Sequence, residues 1–74
     1  MEIIQQDYGL TRMEAVVALQ LLNSQGLKAA AAQLGIAPTT VRTHLTAVFD
    51  KTGTRRQVDL VRLLLQNERL FRDL

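Results

Sequence analysis

The stretch Leu34-Gly35-Ile36-Ala37-Pro38 carries the strongest break signals in the chain and decides its fold. Gly35 belongs to the residue type that most readily adopts the left-handed conformation ending a helix. Pro38 belongs to the type favoured as the first residue of a helix. Only two residues separate these signals, so the stretch predicts a tight corner between two helices.

Helical patterns flank this corner on both sides. The preceding helix is predicted over 27–34 and contains four consecutive alanines, residues 29–32. The alanines suit a helix that another backbone approaches closely, although high helix propensity alone would also explain them. The following helix is predicted over 38–49, ending before Thr52 and Gly53. One of its faces is apolar and is expected in the core: Val41, Leu45, Val48 and Phe49.

Two capping boxes predict two further helices. Thr11, with Glu14 three residues later, opens a helix over about 12–24, and Gly26 follows as a stop signal. Thr54, with Gln57 three residues later, opens a last helix that is predicted to run to about Arg69.

No strand pattern is present, so the sequence predicts an all-α fold of four helices. We expect a single domain over 1–74, with residues 1–9 as an N-terminal arm and residues 10–70 as the folded core. The absence of cysteine excludes a disulfide scaffold and a zinc finger. The longest apolar runs are only a few residues and no signal peptide is visible, which predicts a soluble cytoplasmic domain without a membrane partner.

The last predicted helix has an apolar arc of roughly 220° at 100° per residue, broader than one small core needs. Deep burial among short helices and a helix-to-helix dimer seam are the two interpretations. The dimer is favoured because 74 residues are too few to cover such a helix all round. The expected dimer residues are Val58, Val61 and Leu65.

The net charge of +2 is unevenly distributed. Residues 1–37 hold two basic and three acidic residues, and residues 38–74 hold seven basic and four acidic ones. A solvated helix surface would explain this charge alone. The helix after the corner, however, has an outward face of small hydroxyl groups around one long cation: Thr39, Thr40, Arg42, Thr43 and Thr46.

That face suits DNA chemically. It has no acidic residue before Asp50, so phosphates are free to approach the helix N-terminus. An arginine such as Arg42 makes bidentate contacts with guanine, and threonine serves either a phosphate oxygen or a thymine methyl. Arg55 and Arg56 are predicted at the first two positions of the last helix, against its dipole, which a phosphate there would make favourable. Lys51 lies just upstream of them, and two solvent-exposed arginines are the plainer alternative.

The corner itself has the residue pattern of a DNA-binding helix-turn-helix. Ala31, four residues before Gly35, is small enough for the two helices to cross closely, and Val41, six residues after it, packs into the corner. Over residues 10–66 the ordered motifs resemble the LuxR-type (GerE-like) helix-turn-helix of bacterial transcriptional regulators. The motifs are Leu10-Thr11-x-x-Glu14, Leu34-Gly35-Ile36-Ala37-Pro38-x-Thr40-Val41-Arg42-x-His44-Leu45, Phe49-x-Lys51-Thr52-Gly53-Thr54-Arg55-Arg56-Gln57 and Leu60-Val61-Arg62.

The resemblance implies that the third predicted helix is the recognition helix in the major groove and that the fourth is the dimerisation helix. It implies base-reading roles for Arg42, Thr43 and Thr46. The residues expected to contact phosphates are Thr39, Thr40, His44, Lys51, Arg55 and Arg56. One departure is Ala37, which stands where the family usually has a serine or threonine and has no side chain that caps a helix.

Together these features predict sequence-specific binding of double-stranded DNA by a homodimeric transcriptional regulator, with RNA polymerase as a further candidate partner. The alternative is a helical protein-interaction module that docks on a partner such as RNA polymerase without reading DNA. An enzyme is not expected, because the single histidine, His44, has no nucleophile or orienting carboxylate in a recognisable pattern. No cofactor or metal is predicted.

Overall fold

Six α-helices make up the part of the chain that the structure describes, residues 2–23 and 26–71. The structure is a computed structural model. The helices are α1 Glu2–Tyr8, α2 Arg12–Asn23, α3 Leu27–Leu34, α4 Pro38–Thr52, α5 Gln57–Leu65 and α6 Glu68–Phe71. No strand occurs among these residues, which confirms the all-α prediction. The four predicted helices correspond to α2–α5, but α4 continues through Thr52, so the prediction that it ends before this residue is wrong. None of the six described helices is long and apolar enough to cross a membrane.

The first capping box forms as predicted. The Glu14 N–H donates to Thr11 Oγ1 at 3.2 Å, and the Thr11 N–H donates to Glu14 Oε1 at 2.9 Å. These two bonds satisfy backbone donors that the start of α2 would otherwise leave unpaired. The predicted end of this helix, residue 24, lies outside the described residues.

The corner between α3 and α4 also forms as predicted. Gly35 is left-handed, with φ of 68°, and the Ile36 N–H donates to the Ala31 carbonyl at 3.1 Å. Ala37 is extended and contributes no side-chain cap, and α4 begins at Pro38. The helix therefore starts at the proline even though the residue before it has no capping side chain.

The core lies between α2 and the helices around it. Helix α2 packs against α1, α3, α4 and α5, while α4 packs mainly against α2 and α3. The buried apolar residues are Ile4, Leu10, Ala15, Val17, Ala18, Leu21, Ala30, Ala31, Val41, Leu45, Val48, Leu60 and Leu64. Two of the four alanines of α3 are in this core, so the helix does use small side chains where α4 approaches.

The expectation that residues 1–9 form an arm outside the core is wrong for residues 2–8. These residues form α1, and the side chain of Ile4 is completely buried. The Asn67 side-chain amide donates to the Tyr8 hydroxyl at 3.1 Å, and Arg69 forms an ion pair with Asp7. Contacts with residues about sixty positions away therefore hold α1, and no local sequence signal announces them.

The second capping box does not form. The Thr54 N–H donates to the Phe49 carbonyl at 3.1 Å, and its hydroxyl lies 2.8 Å from the Thr52 hydroxyl. Thr54 thus closes the end of α4 behind the left-handed Gly53 instead of opening the next helix. Helix α5 begins at Gln57, with an extended Arg56 before it.

The last predicted helix is interrupted at residues 66–67, so it does not run unbroken to Arg69. Asn67 stands between α5 and α6, and its Oδ1 accepts the Leu70 N–H at 3.2 Å. This is the bond that an asparagine makes when it caps the start of a helix. The same side chain holds α1, so the break and the docking of α1 share one residue.

We expect Ile4→Ala to lower the free energy of unfolding by about 2 to 5 kcal/mol, because it removes a fully buried aliphatic side chain and leaves a cavity. The exposed Gln6→Ala on the same helix is the control and should change stability by less than about 0.5 kcal/mol. Urea unfolding of the two variants measures both values. Equal effects of the two substitutions would show that α1 is not part of the core.

Candidate nucleic-acid interface

Helix α4 presents one polar face to solvent and one apolar face to the core. Its buried residues are Val41, Leu45 and Val48. The exposed residues are Thr39, Thr40, Arg42, Thr43 and Thr46, as the sequence predicts. Four of these positions, 39, 42, 43 and 46, have the spacing of a single helical stripe. The structure therefore brings the three predicted base-reading residues together on one surface.

Arg42 is the only basic residue on this stripe, and its guanidinium has no ion pair or hydrogen bond with the described residues. A guanidinium carries five donors in a planar fork. The side chain is thus available for two parallel hydrogen bonds to one planar acceptor pair, such as O6 and N7 of guanine.

The hydroxyl groups of Thr43 and Thr46 are engaged within the helix. Thr43 donates to the Thr39 carbonyl and Thr46 to the Arg42 carbonyl, each at 3.0 Å. Both side chains remain exposed. Their protons are therefore directed at the backbone, while the oxygens and the methyl groups stay accessible.

The N-terminal end of α4 is open to an anion. The first turn contains no acidic residue, and Ala37 supplies no side-chain acceptor for the unpaired N–H groups there. The exposed Thr39 and Thr40 lie in the same turn. These features favour a negatively charged group at this end of the helix.

The C-terminal end of α4 is attached to α2 by an ion pair. Lys51 Nζ donates to Glu14 Oε1 at 2.7 Å, with 37% of the lysine side chain and 9% of the glutamate side chain exposed. Hydrogen bonds from Lys51 and from the Thr11 N–H hold the pKa of Glu14 below its ordinary value, against the opposing effect of burial. Lys51, a predicted phosphate contact, thus also joins two helices.

The sequence around Glu14 predicts the capping box but not the ion pair. Its long-range partner lies 37 residues away, and no local spacing rule connects the two positions. An acidic capping residue at a buried position is itself a signal, because a buried carboxylate needs a cationic partner. Burial, however, becomes known only from the fold.

The remaining predicted phosphate contacts occupy varied positions. His44 is half-buried on α4, and Arg55 is exposed in the segment before α5. Arg56 pairs with Asp59 at 3.2 Å, and both groups reach solvent. The prediction that these arginines occupy the first two positions of the last helix is wrong, because α5 begins at Gln57. Arg55 therefore lies outside the helix. The unfavourable interaction of Arg56 with the positive end of the helix dipole is offset by its ion pair with Asp59.

Helix α5 has an exposed apolar face opposite its buried one. Val58 is 55% exposed and Leu65 is 58% exposed, whereas Leu60 and Leu64 are completely buried. Val61 is half-buried and lies on the same side as Val58 and Leu65, within about 60° at 100° per residue. The three residues predicted for a dimer seam thus form one surface, called the α5 face below.

Within residues 2–23 and 26–71, no three His, Cys, Asp or Glu side chains are grouped so that they could hold a metal ion.

The family model for bacterial regulatory proteins of the LuxR family (GerE) matches residues 9–64. The chain therefore belongs to the LuxR family, and its helix-turn-helix is a DNA-binding regulatory domain of that class. The matched region runs from the residue before Leu10 through most of α5 and includes all of α4. Neither the curated proteins nor the solved structures give a significant match to the chain.

The Glu14–Lys51 ion pair predicts a specific pH dependence of stability. A carboxyl whose pKa is lower in the folded chain stabilises the fold above its unfolded pKa, near 4.5, and loses this contribution as the pH falls through the folded pKa. Glu14→Gln keeps an acceptor for the Thr11 N–H but removes the charge. We expect it to lower the free energy of unfolding by about 1.5 kcal/mol near neutral pH.

This difference between the wild-type chain and Glu14→Gln should shrink steadily below pH 4.5. Urea unfolding at a series of pH values measures it. Asp50→Asn, which removes an exposed carboxylate from the same end of α4, controls for the change of net charge. A destabilisation that stays constant from neutral to acidic pH would contradict the role assigned to the ion pair.

Proposed function

We propose that the chain binds double-stranded DNA sequence-specifically as a homodimer and acts as a bacterial transcriptional regulator in the cytoplasm. The observation that carries this proposal is the exposed stripe of α4, which places one unpaired arginine among threonines on a helix that a helix-turn-helix corner projects from the core. An α-helix of this kind fits the major groove, where base edges are distinguishable.

In this arrangement Arg42, Thr43 and Thr46 contact base edges. Arg42 supplies the bidentate donor pair for guanine, and the threonines lie beside it on the same face. The support is geometric, since these three side chains point away from the buried residues Val41 and Leu45.

Phosphate contacts then surround the base-reading stripe. Thr39 and Thr40 lie at the open N-terminus of α4, and His44 lies farther along it. Arg55 and Arg56 follow the C-terminal end of the helix, where exposed cations attract the DNA backbone. Lys51 belongs to the same set, because an ammonium has three donors and Glu14 occupies one of them.

The α5 face is the proposed dimer seam. Two exposed aliphatic side chains, Val58 and Leu65, stand beside Val61 on a helix whose other side is already buried. Apolar surface of this kind gains free energy when a second copy covers it. A dimer would also place two recognition helices on successive half-sites of one duplex.

A protein-interaction module without DNA readout is the second candidate function, and the exposed α5 face is the observation that favours it. The partner of such a module would be RNA polymerase. Such a module would stay monomeric, ignore duplex DNA at low salt and bind its protein partner through Val58 and Leu65.

We expect Arg42→Ala to weaken binding to a duplex selected from a random pool by about 1 to 3 kcal/mol, since it removes the bidentate contact to one base. Competition binding against duplexes that vary this base pair should show that the variant no longer distinguishes them. Arg42→Lys is the matched control, because it keeps the charge without the planar fork.

Arg42→Lys should therefore keep the salt dependence of the wild-type chain while weakening the preference at that base pair. If the Arg42→Ala variant kept the wild-type preference at every base pair, this result would contradict the base-reading role assigned to Arg42.

We expect the wild-type chain to dimerise with increasing concentration and the double variant Val58→Ser/Leu65→Ser to remain largely monomeric. Both side chains are more than half exposed, so the variant should fold normally. Sedimentation or light scattering over a concentration series measures the equilibrium, and Gln66→Ala, an exposed site off the α5 face, is the control. A wild-type chain that is strictly monomeric at high concentration, free and on DNA, would rule out the dimer.

A further inference from the structure

Two threonines of the exposed stripe of α4 present an unusual combination of groups to solvent. Thr43 and Thr46 both donate their hydroxyl protons to carbonyls of their own helix, those of Thr39 and Arg42, at 3.0 Å. A hydroxyl has a single proton and two acceptor lone pairs. With the proton engaged, each side chain offers an approaching base pair a methyl group and an oxygen that only accepts.

This pair of properties matches one kind of base-pair edge in the major groove. A T·A pair presents the thymine methyl group together with the adenine N6 amino donor. A G·C pair presents the guanine acceptors O6 and N7 and the cytosine N4 amino donor, but it has no methyl group. An accepting oxygen therefore finds a donor in either pair, and the contact between methyl groups is what favours T·A.

We propose that Thr43 and Thr46 select T·A base pairs next to the guanine read by Arg42, chiefly through contact with the thymine methyl group. This inference rests on the proposed function of α4 in DNA binding and specifies the sequence that it reads. Arg42 and Thr46 lie four residues apart along one side of the helix, about 6 Å. The selected thymine should therefore lie within about two base-pair steps of the guanine.

The threonines are less suited to donating hydrogen bonds to phosphate. Donation would require each hydroxyl to leave the carbonyl that it now contacts. Acceptance from adenine and packing against a thymine methyl leave those bonds in place. The observed hydrogen bonds of both side chains are thus compatible with contact to a T·A pair.

The test uses the full chain and a duplex that it selects from a random pool. Each thymine of the half-site is replaced singly by deoxyuridine, which removes only the 5-methyl group. Loss of one buried methyl contact should weaken binding about fourfold at one or two positions near the guanine that Arg42 distinguishes. Deoxyuridine at the other thymines should have little effect.

Two variants then assign the methyl contact to its side chain. Thr46→Ser keeps the hydroxyl but removes the γ-methyl group, so deoxyuridine should no longer weaken binding at one of these positions. Thr46→Val keeps a γ-methyl group without the hydroxyl, so the deoxyuridine effect should persist. The same pair of substitutions at Thr43 should act on the other position, and thermal unfolding verifies that these exposed-site variants fold.

Two results would overturn the inference while leaving the proposed function intact. One is a selected duplex whose binding depends on Arg42 but is unchanged by deoxyuridine at every thymine. The other is a deoxyuridine effect that survives serine at both positions. Failure to select any duplex would overturn the proposed function, and this inference with it.

Discussion

The orientation of α4 depends on the backbone reversal at Gly35. The left-handed φ of this residue lets α3 end abruptly, and the Ile36 N–H returns to the Ala31 carbonyl to close the corner. Ala30 and Ala31 are buried in the core beside α4, where larger side chains would separate the two helices. Because the apolar side of α4 is held by this corner and by α2, its threonines and Arg42 face solvent together.

An ion pair attaches the other end of α4 to α2. Lys51 reaches the buried Glu14, which also closes the capping box at the start of α2. One carboxylate therefore contacts both the beginning of α2 and the end of α4. With both ends attached to the core, the exposed middle of α4 has a defined orientation, and side chains on a well-supported helix are preorganised to recognise a ligand.

Much of this architecture is predictable from local sequence, and the misses share a physical cause. The Thr11–Glu14 cap, the Gly35–Pro38 corner and the polar and apolar sides of α4 depend on residues close together in the chain. The attachment of α1 to Asn67 and Arg69 and the Glu14–Lys51 pair depend on contacts across 37 to 62 residues. The prediction at Thr54 is wrong because a threonine three residues before a glutamine fits the start of a helix. In the structure its N–H and hydroxyl instead form hydrogen bonds at the end of α4.

The central claim, that the exposed stripe of α4 is the surface that meets DNA, is tested most directly by nuclear magnetic resonance. The ¹⁵N-labelled chain is titrated with a duplex selected from a random pool, and changes in amide chemical shift are mapped onto the helices. The account predicts the largest changes over residues 39–46, together with Arg55 and Arg56. Changes confined to α1, α6 or the α5 face, with α4 unaffected, would contradict it.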